Sequence, residues 1–226
     1  METLDINVLA AISQRASTRA FLDKPIPEKI IEKILDCARW SPSGGNLQPW
    51  QIAVVRGKSK QQISAALLQA YENREEPHPD YIYYPSNWFE PYKTRRFQTG
   101  MALYNALNIQ HDDKERRRQQ WKANYHFFGA PVGLFFLIDK GLGDGALVDM
   151  GMYMQSVMLA ALAYELTTCP QASLTDYPDI IRKQLGLADN LAVLCGMAMG
   201  YADTTHPVNN YRTEREAVKN FSRWYD

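Results

Sequence analysis

Cysteine is scarce in this sequence. Cys37, Cys169 and Cys195 are the three that occur, and no two of them form a C-x-x-C pair. Such scattered cysteines do not predict a disulfide framework, and none of the four histidines belongs to an H-E-x-x-H motif. The sequence therefore offers no evident ligand set for a structural zinc or a catalytic metal.

Net charge and long apolar runs are also lacking. Lysine plus arginine and aspartate plus glutamate both number 25, so the formal net charge is zero. A chain without an overall field has little attraction for nucleic acid or anionic lipid. The longest uncharged apolar stretch, residues 150–164, has 15 residues, fewer than the roughly 20 that a membrane-spanning helix needs. The N-terminus lacks a signal-peptide pattern, and we expect a cytoplasmic protein with neither nucleic acid nor membrane as partner.

The sequence does contain ample material for a core. Its 226 residues, 46% of them hydrophobic, predict one domain over residues 1–226. Periodic apolar positions predict a short helix before Ser17, a helix after Pro27, and helices at 58–72 and 178–185. Continuous apolar runs predict strands at 50–55, 132–138 and 191–199, and residues 167–173 are expected to form a loop.

Two segments differ from this regular pattern. Residues 73–126 are rich in tyrosine, proline and basic residues, and are predicted to form an aromatic excursion with helical pieces, the clearest near 112–123. Residues 202–226 are predicted to form a polar C-terminal arm. Between them, a long helix is expected from an Asp144 cap to about Tyr164, in a central or interface position because it is apolar almost all round.

The segment from Arg15 to Arg19 carries a possible anion site. Successive side chains of an extended segment point to opposite faces, so Arg15, Ser17 and Arg19 would share one face. Two guanidinium groups flanking a hydroxyl can bind a phosphate, since arginine offers paired donors. The alternative is two surface arginines and a serine that caps a helix.

A second polar segment follows the predicted helix after Pro27. Residues 41–50, SPSGGNLQPW, place a hydroxyl and two amides on a backbone that the glycines allow to approach a ligand closely. The alternative is an ordinary polar connection. Taken together, R-x-S-x-R followed about 25 residues later by P-S-x-x-N-x-Q-P-W resembles the flavin-dependent nitroreductase family. Three further segments extend the resemblance, namely FFGAP at 127–131, CPQAS at 169–173 and GYAD at 200–203.

The resemblance implies a fold and an activity. The fold is α+β in three layers, with a central mixed, mainly antiparallel sheet flanked by helices, a long central helix, and an intertwined homodimer. The activity is that of an FMN-dependent oxidoreductase, which passes hydride from NAD(P)H through flavin N5 to nitroaromatic, quinone or similar electron-poor substrates by a ping-pong mechanism. The alternatives are dehalogenation, ene reduction or flavin fragmentation on the same fold, or a flavin-binding module without turnover.

The resemblance also assigns residues to the cofactor. Arg15 and Ser17 would hold the FMN phosphate and ribityl chain, Arg19 would stabilise charge near flavin N1 and O2, and Arg212 or Arg215 would complete the phosphate site. The loop at 42–48 would reach the flavin of the other subunit, and residues 170–172 would line its N5 edge. The full set is Arg15, Ala16, Ser17, Arg19, Pro42, Ser43, Asn46, Gln48, Pro170, Gln171, Ala172, Arg212 and Arg215. Asn124 is a further candidate, and no side chain is expected to act as nucleophile or general base.

A competing motif follows the strand at 132–138. Residues 141–146, GLGDGA, match the G-x-G-x-x-A dinucleotide fingerprint. Two residues separate the strand from Gly141, however, and Asp144 would place a carboxylate beside the pyrophosphate. Glu165 ends a helix rather than a second parallel strand. We therefore interpret this segment as a glycine turn that leads into a helix.

Several remaining residues have two interpretations. Cys169 is either a redox thiol or, as we prefer, a small lining residue; His126 faces the flavin or is structural; and the methionines near residue 154 are assigned to packing. The excursion either stacks on planar substrates or packs on the surface. In the first case Arg95 or Arg96 would pair with a substrate carboxylate, which would make nitroaromatic acids a plausible substrate class.

Overall fold

The computed structural model describes residues 3–226; Met1 and Glu2, with which the predicted domain begins, lie outside the described residues. Its centre is a four-stranded sheet in the order β1-β2-β4-β3. All three strand pairings are antiparallel, and the parallel element of the described residues is an isolated bridge between Ser17 and Thr168. The strands are β1 (Gln51–Arg56), β2 (Val132–Asp139), β3 (Thr167–Gln171) and β4 (Leu191–Gly200).

The two central strands form because their residues are apolar on both faces. All ten residues of β4 and seven of the eight in β2 are buried, which confirms two of the strands predicted from continuous apolar runs. Glycines allow close packing here. A Cβ at Gly196 would lie 2.3 Å from the Leu174 side chain, and one at Gly133 would lie 2.4 Å from the Phe127 ring.

Helices cover both faces of the sheet, which gives the expected three layers. On one face α2 and α6 pack with Leu134 and Met197; on the other, α3 and α7 pack with Phe135 and Val193. The α-helices of the described residues are α1 (Val8–Gln14), α2 (Glu28–Ala38), α3 (Gly57–Glu72), α4 (Tyr92–Ala106), α5 (Lys114–Lys122), α6 (Gly145–Leu162), α7 (Pro178–Leu185) and α8 (Val218–Phe221). Gly186 ends α7 in the left-handed conformation, as predicted.

The long central helix is α6, as expected, but Asp144 does not cap it with its side chain. Gly141 instead belongs to a tight turn in which its backbone N–H donates to Asp139 Oδ1 at 2.7 Å, in agreement with the glycine-turn interpretation. By length and composition alone α6 is long and apolar enough to cross a membrane. One such helix is weak evidence, and α6 packs against α2, β3 and α1 within this domain.

Among the predicted helices, strands and loops, one prediction was wrong, and the position of one helix was not predicted. Residues 167–171, expected to be a loop, form the edge strand β3. An edge strand tolerates Pro170 because, apart from the bridge of Ser17 to Thr168, no strand of the described residues pairs with its outer side. In the excursion, α5 agrees with the helix predicted near 112–123, but α4 was missed. No residue of α4 is buried, so the helix carries no apolar stripe that a sequence pattern could reveal.

Candidate functional site

The segment from Arg15 to Arg19 lies beside the start of β3. Ser17 bridges Thr168, and the backbone N–H of Thr18 donates to the Thr168 carbonyl at 3.1 Å. The backbone N–H of Arg19 donates to Asn209 Oδ1 at 2.8 Å, and its guanidinium donates to the Tyr211 hydroxyl at 3.3 Å. The chain leaving β4 therefore holds this segment in its extended form.

The two candidate arginines of the C-terminal arm have different partners. Arg212 donates to the carbonyls of Ser13 (3.1 Å), Gln14 (2.6 Å) and Arg15 (2.9 Å) with both of its terminal nitrogens. These carbonyls lie at the end of α1, where backbone acceptors lack helical partners. Arg215 uses Nη1 alone, for Thr213 and Glu214. The guanidinium of Arg212 is thus occupied, whereas Arg215 retains further donors.

We call Arg15, Arg19, Arg212 and Arg215 the arginine cluster, because Arg212 and Arg215 lie near Arg15 and the charges of Arg15 and Arg19 both act on the Cys169 thiol. Burial, followed by the charges of Arg215 and then Arg212, lowers the pKa of Arg15 below its usual value. Within residues 3–226, no carboxylate forms an ion pair with any of the four. Arginines that lie beside Arg15 without acidic partners among the described residues fit a multiply charged anion such as a phosphate.

A cavity of about 400 Å³ lies between α6 and β3, and we call it the α6 cavity. Pro170 and Ala172 contribute to its wall, while Gln171 does not. The Gln171 side chain is buried on the other side of the sheet, where its Nε2 donates to the Asn124 carbonyl at 2.9 Å. Gln171 can therefore face the cavity only through its backbone. The backbone N–H of Ala172, at the start of a 3-10 turn, has no partner within that turn.

Residues 42–48, the amide loop, are tightly folded. Gly45, Asn46 and Gln48 all have positive φ angles, of 56°, 56° and 48°. Ser43 Oγ accepts from the Gln48 backbone N–H at 3.0 Å, and the Gly44 N–H donates to both carboxylate oxygens of the buried Asp149 at 3.2 Å. The side chains of Asn46 and Gln48 are exposed, while the loop backbone is held to α6 by the hydrogen bonds of Gly44 to Asp149.

The amide loop and the α6 cavity lie on opposite faces of α6. Asp149 bonds to the loop and Ser156 bonds to Ser41, on one face, whereas Gly151, Met154 and Met158 line the cavity. At about 100° per residue, these two sets point roughly 180° apart. Because a helix with its side chains is about 10 Å wide, the amide loop of one chain does not reach the cavity of the same chain.

The structure shows the environment of each residue for which the sequence left two interpretations open. Cys169 is buried, and burial raises the pKa of its thiol against smaller opposing effects of Arg19 and Arg15; this fits a packing residue. His126 is exposed and lies outside the cavity wall. Asn124 contacts Gln171 rather than the cavity. Met150, Met154 and Met158 line the cavity, and no cluster of metal-ligating side chains occurs within residues 3–226.

Sequence reasoning missed three residues that build this site. Asn209 and Tyr211 hold Arg19, and Asp149 holds the amide loop. All three act through contacts across more than 100 residues of sequence, which no local pattern reveals. A larger cavity of about 580 Å³, lined by Tyr71, Trp121, Asp176 and others, contains none of the predicted site residues.

Comparison with known proteins adds independent findings. The sequence model described as “Nitroreductase family” matches residues 12–201. A 4-nitrobenzoate reductase of Pseudomonas putida is 38% identical over 95% of this chain and 94% of its own length. A chloronitrobenzene nitroreductase of Comamonas testosteroni is 34% identical over 93% of each chain.

Solved structures agree with these relatives. The FMN and NADPH-dependent nitroreductase NfnB from sphigopyxis sp. strain HMH superimposes with a TM-score of 0.95 at 38% identity, over 98% of this chain and all of that chain. The FMN-dependent NfnB from Mycobacterium smegmatis, in complex with NADPH, gives a TM-score of 0.90 at 31% identity and 96% coverage of each chain. The fold predicted for the single chain is confirmed, and the chain belongs to the nitroreductase family.

Proposed function

We propose that this protein is an FMN-dependent oxidoreductase that acts as a cytoplasmic homodimer, each subunit a single FMN-binding domain. When bound, FMN supplies hydride transfer at N5, from NAD(P)H to a nitroaromatic or similar electron-poor substrate in a ping-pong sequence. Relatives named as FMN- and NADPH-dependent nitroreductases support this proposal. The observation that carries it is the position of an acid-free arginine cluster and an apolar cavity at successive points along β3.

The arginine cluster fits the phosphate of FMN. Arg15 and Ser17 lie at the end of α1 and the start of β3, and we assign them, with the Ala16 backbone, to the phosphate and ribityl chain. Arg215 is our choice for the remaining phosphate contact because it keeps donors free. Arg212 is then a positioning residue, since its guanidinium ties the end of α1 to the C-terminal arm.

The α6 cavity fits the ring system. Its volume of about 400 Å³ and its lining of methionine, leucine and proline suit a planar aromatic group. Arg19, fixed by Asn209 and Tyr211, is assigned to the pyrimidine side, where a preorganised cation stabilises negative charge without reorganising. Pro170 and the Ala172 N–H are assigned to the N5 edge, with Gln171 contributing backbone alone.

A second copy of the chain completes the site. The amide loop cannot reach the cavity of its own chain, so we assign Pro42, Ser43, Asn46 and Gln48 to the flavin of the partner subunit. Exposed apolar side chains support such a dimer. On α1, Val8, Leu9 and Ile12 are 69%, 79% and 51% exposed, and an apolar helix face left in water is typical of an interface.

Hybrid dimers test this proposal. The unsubstituted protein should bind FMN and reduce a nitroaromatic with NADPH, whereas Arg19→Ala and Asn46→Ala should each lose most of that activity. In a mixed dimer with one chain of each kind, one site carries both changes and the other carries neither. Purified through two different affinity tags, the mixed dimer should recover about half of the unsubstituted activity per dimer.

Each negative result has a distinct meaning. A mixed dimer as inactive as its two parents would contradict a site shared between subunits, because each chain would then supply its own arginine and its own loop. An unsubstituted protein that binds FMN but leaves it oxidised in stopped-flow mixing with NADPH would be a flavin-binding module. Failure to bind FMN would overturn the assignment of the arginine cluster.

A further inference from the structure

The wall of the α6 cavity continues outward as a chain of aromatic rings. Tyr81, Tyr83 and Tyr84 line the cavity, and their rings contact one another edge to face, at 6.1 Å from Tyr81 to Tyr83 and 4.6 Å from Tyr83 to Tyr84. The Tyr81 hydroxyl donates to the Leu194 carbonyl at 2.6 Å, which fixes the inner end to β4. Trp88 extends the chain, with its ring 5.4 Å from that of Tyr84.

Arg96 lies at the outer end of this chain. Its guanidinium carbon is 4.8 Å from the Trp88 ring centroid, so stacking on the indole holds the guanidinium in place. Tyr84 is partly exposed; desolvation raises its pKa and the Arg96 charge opposes that rise, in agreement with a guanidinium close to this part of the cavity wall. No carboxylate within residues 3–226 forms an ion pair with Arg96.

Arg95, the preceding residue on α4, has a different environment. It forms an ion pair with Glu216 of the C-terminal arm and lies beside Tyr92 rather than the cavity tyrosines. Arg95 therefore already has an acidic partner, and this contact connects α4 to the C-terminal arm. The sequence left open whether Arg95 or Arg96 would pair with a substrate carboxylate. The structure favours Arg96, which forms no ion pair within residues 3–226.

We propose that Arg96 is a specificity-determining residue, which binds the anionic group of a substrate whose aromatic ring stacks on the tyrosines of the α6 cavity. This inference rests on the proposed function and concerns which substrates the flavin site prefers. The anion is the carboxylate of a nitroaromatic acid. The 2′-phosphate of NADPH is the other negative charge that the proposed reaction brings to this protein, and the experiment separates the two.

The test compares Arg96→Gln with Arg95→Gln, a matched loss of one charge on the same helix. For 4-nitrobenzoate, Arg96→Gln should raise KM about tenfold, as expected for a lost hydrogen bond between charged groups. For nitrobenzene, which has the same ring and nitro group without the carboxylate, KM should change less than about twofold. Arg95→Gln should treat the two substrates alike, and Arg96→Lys should recover part of the lost preference.

The outcomes are separable from those of the proposed function. Equal KM changes for both substrates in Arg96→Gln would overturn the inference while leaving flavin reduction by NADPH intact. A rise in KM for NADPH but not for NADH, with no change for 4-nitrobenzoate, would overturn it in favour of the dinucleotide phosphate. An unsubstituted protein inactive on both nitro compounds would instead reject the proposed function.

Discussion

Asp80 connects the aromatic excursion to the core, and its removal tests how firmly the cavity wall is held. Its carboxylate Oδ2 accepts from Arg182 Nη1 at 2.6 Å and from the Val193 backbone N–H at 2.8 Å. The exposed fractions of the Asp80 and Arg182 side chains are 9% and 8%. The next residue is Tyr81, the first tyrosine of the cavity wall.

The magnitude follows from burial. Asp80→Ala leaves a buried guanidinium without its main partner and a strand N–H without an acceptor, and breaking a buried ion pair in this way costs about 3–5 kcal/mol. Arg182 keeps Asp179 and the Leu191 carbonyl, so we expect the lower value, about 3 kcal/mol. For a chain of this size that corresponds to a fall in Tm of about 6–12 °C.

Asp179→Ala is the matched control, because Asp179 binds the same guanidinium from the solvent side with a side chain that is 67% exposed. An exposed pair contributes less than about 1 kcal/mol, so Tm should fall by no more than about 4 °C. Both variants are measured by thermal unfolding at one fixed FMN concentration, since bound ligand raises Tm. Equal falls in Tm for the two variants would refute the reasoning from burial.

Two further predictions concern the sheet and Asp176, which lines the larger cavity of about 580 Å³. Gly196→Ala should destabilise the protein by about 1–3 kcal/mol in urea titrations, because its Cβ would lie 2.3 Å from the fully buried Leu174. The control is Gly100→Ala on α4, where the added Cβ meets open space, and it should be neutral or stabilising. A larger loss of stability in Gly100→Ala than in Gly196→Ala would contradict this reasoning. Burial raises the pKa of Asp176 to about 6, so the folded protein holds that proton more tightly than the unfolded chain does. Stability relative to Asp176→Asn should therefore fall as the pH rises from about 4 to about 7, and a difference independent of pH would exclude this effect.

The elements that sequence predicted are those whose pattern is local. In α2, Ile30, Ile31, Ile34 and Ala38 recur at helical spacing, and all four are buried. In β2 and β4 continuous apolar runs identify strands buried on both faces. In each case burial in the core produces the apolar pattern, so the helix or strand can be predicted from the local sequence.

The missed elements lack such a pattern for physical reasons. β3 is five residues long, contains Pro170 and takes its stability from pairing with β4, a partner that no local window contains. α4 has exposed aromatic residues such as Phe97 (60% exposed) and no buried residue. Its environment is not an apolar core, and hydrophobic periodicity therefore says nothing about it.

The candidate site was predictable as two motifs but not as a geometry. R-x-S-x-R and the amide loop are short segments whose residue types show the chemistry they can perform. The separation of the amide loop from the α6 cavity by the width of α6 depends on which face of that helix meets which layer. That is a property of packing, and so are the contacts of Asn209 and Asp149 that fix the two motifs.

The contacts of Asn209 and Arg212 with residues 13–19 have a consequence for biosynthesis. Arg19 is held by Asn209 and the end of α1 by Arg212, contacts that span 190 and 197–199 positions of sequence. A nascent chain that has not yet reached Asn209 has neither anchor. The arginine cluster that we assign to the FMN phosphate is therefore completed only after residues 209–212 have been synthesised, and a chain truncated before Asn209 would have its four core strands but not these contacts.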